Sequence, residues 1–116
     1  MPERKKQTCI ACADDAPRAG RVAILGFQSQ HPAWQIEVED QIDKLRRRFS
    51  FESYEDAVDF TNELAEMSEF EKHHPAILLE WGAVTVTWWT HKIGGLHSND
   101  LVMAQQTDEL FESRSA

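Results

Sequence analysis

The sequence predicts an α+β fold: a four-stranded antiparallel sheet with helices packed on one face, in the order α-β-β-α-β-β-α. Three observations carry that expectation. Residues 42–51 alternate, with Leu45, Arg47, Phe49 and Phe51 on one face and Lys44, Arg46, Arg48 and Ser50 on the other. Residues 53–73 place Ala57, Phe60, Leu64 and Met67 at three- and four-residue steps, the stripe of an amphipathic helix. Residues 77–81 and 84–90 read as two strands of a hairpin across Gly82-Ala83. Strands paired in hairpins, with a helix between the pairs, make a sheet that needs helices over one face.

Each element has its own justification. Residues 1–20 are polar, with Pro17 and Gly20, and are expected to form a flexible annex; residues 21–116 form a single domain. The stretch "RVAILGFQSQ" (21–30) is compatible with a short helix or a strand, and Gly26 weakens either. "HPAW" marks a turn, and residues 34–38 a short strand. Arg47 interrupts an otherwise apolar face, so it is expected near a strand edge or with its head group snorkelling outward. Ser53 suits an N-cap, and Glu55 and Asp56 complement the helix dipole in the first turn. The helix must end near His73, because the residue before Pro75 avoids the α region. Trp88 and Trp89 are adjacent on a strand and therefore point to opposite faces. The face without helices then lines a pocket or an oligomer contact. "KIGGLHSND" is a loop, and Ser98 or Asn99 can cap a last helix carrying Leu101, Ala104 and Phe111.

The composition bounds the function. A formal net charge of −8 argues against a nucleic-acid partner, whose backbone demands clustered Lys and Arg. The one basic run, Lys44 to Arg48, reads as a solvated strand face. No apolar run approaches the ~20 residues of a membrane span, and no secretory leader is visible, so a cytoplasmic protein is expected. Cys9 and Cys12 form a lone CxxC, without the further ligands of a zinc site or the βαβ context of a redox motif. The plain reading is two reduced thiols.

Chemistry concentrates in residues 69–95, "EFEKHHPAILLEWGAVTVTWWTHKIGG". Glu69 and His73 are four apart and would share a face if the helix persists that far. A carboxylate beside an imidazole favours its charged form. His74 points elsewhere, and the hairpin can return His91 to the same neighbourhood. Three readings stay open on spacing alone. One is a zinc site from His73, His74 and His91, although adjacent histidines rarely share a metal and no HExxH is present. Another is a structural role, with His-His-Pro satisfying the last helical carbonyls. The third is acid–base chemistry on a flat heterocycle, with imidazoles exchanging protons and tryptophans walling the pocket.

The motif "E-x-x-x-H-H-P", followed by "W-G-x-V-T-V-T-W-W-T-H-K-I-x-G-L-H-x-N-D", resembles the pterin-4a-carbinolamine dehydratases, closest to the bacterial branch that accompanies phenylalanine hydroxylase. The likeness extends upstream through "W-x-I" at Trp34, "F-S-F" at Phe49 and "A-V-D-F-T-N" at Ala57, and downstream through "D-L-V-M-A" from Asp100. "CIACADDAP" is similar to openings of that branch; the irregular segment around Gly26 is the one departure. The resemblance implies a lyase that dehydrates 4a-hydroxytetrahydrobiopterin to quinonoid dihydrobiopterin without metal or organic cofactor. It implies His73, His74 and His91 as catalytic histidines, with Glu69 polarising His73. His73 and His91 would share the acid and base roles, and His74 would orient the pterin. Asp100 and Trp81 would serve substrate binding. It further implies a homodimer or homotetramer, and a functional link to phenylalanine hydroxylase. A non-catalytic dimerisation or assembly factor on the same fold is the alternative.

Overall fold

The computed structural model describes residues 18–115. Helix α1 spans Arg21–Gln30, strand β1 Gln35–Glu39, strand β2 Ile42–Ser50, helix α2 Tyr54–Glu71, strand β3 Ala76–Glu80, strand β4 Ala83–Trp88 and helix α3 Ser98–Ser115, with a 3-10 turn at His91–Ile93. The sheet is antiparallel throughout, in the order β1-β2-β4-β3. This is the expected α+β architecture. The ambiguous segment at 21–30 is a helix, and Gly26 lies within it. Of the expected annex, residues 1–17, including Cys9 and Cys12, lie outside the described residues. Ala19 is tied down, its amide donating to the Leu96 carbonyl at 2.7 Å.

The core lies between the helices and the inner sheet face. Trp34, Leu45, Phe49, Val84, Val86 and Trp88 meet Ala57, Phe60 and Leu64 of α2 and Met103 and Ala104 of α3. Each large side chain there contributes about 1.5–3 kcal/mol by leaving water. Helix α2 starts as its sequence demands: the Ser53 hydroxyl accepts the Asp56 amide at 3.1 Å, and Glu55 and Asp56 fill the first turn.

Arg47 resolves differently from an edge residue, since β2 is interior to the sheet. Its guanidinium lies 4.3 Å from the Phe49 ring centre and donates to Asp108 Oδ1 at 2.6 Å. Asp108 also accepts from Trp34 Nε1 at 2.9 Å, so one carboxylate joins the β1 entrance, β2 and α3. Lys44, expected on a solvated face, is buried; it ion-pairs with Glu39 at 2.7 Å and lies 4.0 Å over the Trp89 ring. Arg46 beside it pairs with Glu37. The hairpin turn is Trp81-Gly82, one residue earlier than expected, with Gly82 at φ 81°, a backbone that favours glycine. Strand β4 ends at Trp88 instead of Thr90, and Thr90 forms an isolated bridge to Gly95.

Candidate active site

The site begins where α2 ends. Lys72 takes a left-handed conformation at φ 57°. Its amide donates to the Glu69 carbonyl at 3.2 Å, and the His73 amide donates to the Ser68 carbonyl at 3.1 Å. These two bonds form a Schellman motif, which closes the helix and turns the chain sharply. The turn puts the backbone of His73 off the helix axis and directs its ring inward, and His73 is only 5% exposed. Pro75 then commits the chain to the extended β3.

Inside, the His73 ring lies parallel to the indole of Trp88, with centres 5.5 Å apart and an angle of 8°. Its Nε2 is 2.6 Å from Asp100 Oδ1. Asp100 is fully buried in the first turn of α3. Its other oxygen, Oδ2, accepts from the Thr90 hydroxyl at 2.7 Å and from the His97 amide at 2.9 Å. This bond holds the His73 ring in a fixed orientation. Trp88 is itself pinned, its Nε1 donating to the Thr107 hydroxyl at 3.1 Å.

This geometry corrects the expected pairing. Glu69 does not partner His73: the helix ends at Glu71, two residues before it. Glu69 Oε1 instead lies 2.8 Å from His74 Nε2, on an exposed surface, and His74 holds the Glu69 carboxyl below its usual range. The carboxylate that backs His73 is Asp100, which faces inward with both oxygens engaged by protein donors and is not presented to a substrate. Trp81 stands apart from these groups in the chain's own fold. It is 75% exposed at the hairpin turn, about five strand residues, or roughly 17 Å, from the His73 end of β3. His91 follows Thr90 directly, so its backbone is anchored beside Asp100. Its ring is exposed and rests on Trp89 at 4.4 Å, against the sheet face opposite Trp88.

Two participants escaped the sequence reading, Thr90 and His97. His97 replaces the expected Ser98 or Asn99 cap: its Nδ1 accepts the Asn99 amide at 3.0 Å. Burial pushes the His97 imidazole below its ordinary 6.5, against the pull of Asp100, and neighbouring His73 adds to the depression. The signal available was its position three residues before Asp100, a spacing suited to helix capping. Among the described residues, no three His, Cys, Asp or Glu side chains are gathered as a metal ion requires.

A family model described as pterin 4 alpha carbinolamine dehydratase matches residues 21–110. The chain belongs to that family. A protein of Marinobacter nauticus named "Putative pterin-4-alpha-carbinolamine dehydratase" is 50% identical over 111 residues, which cover 96% of this chain and 100% of that protein. A Syntrophotalea carbinolica protein of the same name is 49% identical over 112 residues, covering 97% and 100%. Among solved structures, a transcriptional coactivator/pterin dehydratase from Brucella melitensis has the same fold, with a TM-score of 0.72 and 24% identity over 81% of this chain and 98% of that one. A pterin dehydratase-like protein described as a RuBisCO assembly factor of the alpha-carboxysome matches with a TM-score of 0.57 and 26% identity, over 67% and 88%. In this pterin 4 alpha carbinolamine dehydratase family member, the helix-end histidines and the buried aspartate therefore sit on a fold shared across the family.

Proposed function

We propose that this protein dehydrates 4a-hydroxytetrahydrobiopterin to quinonoid dihydrobiopterin. The observation that carries the reading is the buried His73–Asp100 pair, closed at 2.6 Å with the His73 ring stacked on Trp88, and next to it in the chain the exposed His74. Losing water from C4a requires a proton for the departing hydroxyl and a base for the N5 proton. A carboxylate fixed behind an imidazole holds the ring in one orientation for proton transfer. His73, held by Asp100 through Nε2, is the proposed proton-exchanging group. His91, exposed on Trp89 across the strand end from the His73–Trp88 stack, is the proposed donor of the complementary proton, which requires the pterin to reach round that strand end. His74, paired with Glu69, orients the substrate at the surface.

The decisive experiment generates the 4a-hydroxytetrahydropterin in situ and follows its decay optically. Wild type accelerates the decay, and His73→Ala slows the catalysed step by roughly a hundredfold to ten-thousandfold, the usual range for a positioned acid or base. Absence of acceleration by wild type sinks the enzymatic reading. A second reading, a non-catalytic dimerisation or assembly factor, is favoured by the likeness to the RuBisCO assembly factor. Wild type without activity is what it expects.

Within the same proposal, the protein works in the cytoplasm as a homodimer or homotetramer, recycling the pterin of a phenylalanine hydroxylase. No helix of the described residues is long and apolar enough to cross a membrane. The residues 1–20 and 21–116 act as annex and single domain.

A further inference from the structure

The segment from Thr90 to His97 carries His91 and is fixed at both ends on Asp100. The Thr90 hydroxyl donates to that carboxylate at 2.7 Å and the His97 amide at 2.9 Å. Between these ends, Thr90 and Gly95 exchange backbone hydrogen bonds, 2.8 Å from the Thr90 amide and 3.4 Å from the Gly95 amide. The flanking carbonyls, Gly94 and Leu96, accept instead from the segment that precedes α1. The Ala19 amide donates to Leu96 at 2.7 Å, and the Arg18 guanidinium donates to Gly94 at 3.2 Å. The loop is thus bonded to Thr90 through Gly95 and to Arg18-Ala19 through the two carbonyls beside it.

The paired glycines of this loop have different reasons to be glycine. Gly94 has φ 58°, a left-handed backbone that glycine adopts freely. Gly95 is not left-handed, so its own conformation makes no such demand. The demand comes from Arg18. A Cβ on Gly95 would stand 2.0 Å from Arg18 Nη1 and 3.3 Å from its guanidinium carbon, and the next nearest atom is the Ile93 carbonyl oxygen at 4.0 Å. The guanidinium therefore fills the place of the missing side chain, where its rigid fork can also reach the Gly94 carbonyl.

We propose that Arg18 is a positioning residue of the site: seated on Gly95, it clasps the loop that sets His91 and the Thr90 and His97 donors to Asp100. The clasp rests on these contacts alone; its effect on turnover rests on the dehydratase reading. Arg18 acts through the loop and not on the pterin. Leu96 is buried, so release of the guanidinium loosens the loop locally and leaves its core anchor in place.

Amide hydrogen exchange and turnover test the two parts separately, on the full-length chain carrying Arg18→Ala, Gly95→Ala or both. Arg18→Ala is expected to speed exchange of the Thr90 and His97 amides by roughly threefold to tenfold, the worth of one ordinary hydrogen bond, with little change in Tm. Gly95→Ala displaces the guanidinium, because the flexible end of a side chain yields before backbone does, and is expected to do the same. In the double variant nothing is left to displace, so the second change adds no further loss. In the decay assay kcat falls in the same pattern while KM hardly moves, a split that general loss of the fold does not give. Wild-type exchange in Arg18→Ala, or additive losses in the double variant, overturns the clasp. Faster exchange with full kcat in Arg18→Ala overturns the positioning role. Faster exchange with an inactive wild type leaves the clasp intact and removes the dehydratase reading.

Discussion

At the scale of single residues, the two carboxylates expected at the site, Glu69 beside His73 and Asp100 for substrate binding, have opposite surroundings. Asp100 is buried and fixes His73; Glu69 is exposed and touches His74. Asp100→Asn is expected to lower kcat by roughly a hundredfold or more, and Glu69→Gln by less than about tenfold, in the decay assay. Equal effects would show that the buried pair has no privileged role. His97 gives a pH signature. Its folded-state imidazole titrates below the ordinary 6.5, so below that pH the unfolded chain takes up a proton that the folded one does not. Stability is therefore lost as pH falls through 6.5 toward the folded value. Thermal melts at about pH 7 and pH 5 should show a smaller acid-side drop in Tm for His97→Asn, which keeps a capping acceptor, than for wild type. The sequence displayed the histidines and carboxylates, and it displayed their spacing. It could not display which pairs close, because that depended on a single left-handed residue, Lys72, ending the helix before His73.

At the scale of elements, the legible parts were those governed by local rules. The α2 stripe, its Ser53 cap and the alternation of β2 are dictated by periodicity and by orphan amides, and they appear where the residues demand. Ser53→Ala should cost about 1 kcal/mol in denaturant unfolding, the usual worth of an N-cap. No change in the midpoint would mean that the Asp56 amide finds another acceptor. Illegible were the features set by tertiary contact. Burial pulled Lys44 onto Trp89, and Asp108 drew Arg47 inward along Phe49. Gly26 left the first segment undecided because nothing local distinguishes a helix lying on α3 from a strand.

At the scale of the whole molecule, α3 is the member that joins the two ends. Asp100 near its start holds the histidine loop; Asp108, eight residues or about 12 Å further on, holds Trp34 and Arg47. Burial raises the Asp108 carboxyl above its ordinary 3.8 even though Arg47, Trp34 and His31 pull it down. Removing one member of such a buried pair leaves the other uncompensated. Asp108→Ala should therefore destabilise the protein by about 3–5 kcal/mol, read as a large fall in Tm. Loss of less than about 1 kcal/mol would mean that water replaces the carboxylate at Arg47 and Trp34.

The parallel stack of His73 on Trp88 has an optical consequence. A protonated imidazole quenches an indole that it touches, whereas a neutral one quenches weakly. Trp88 is therefore a built-in lamp whose brightness reports the charge of His73. Trp89 is a second lamp, on the other side of the sheet, placed to report on His91. Emission spectra of Trp88→Phe and Trp89→Phe, each set beside His73→Ala and His91→Ala, should show which indole each histidine touches, without any substrate present.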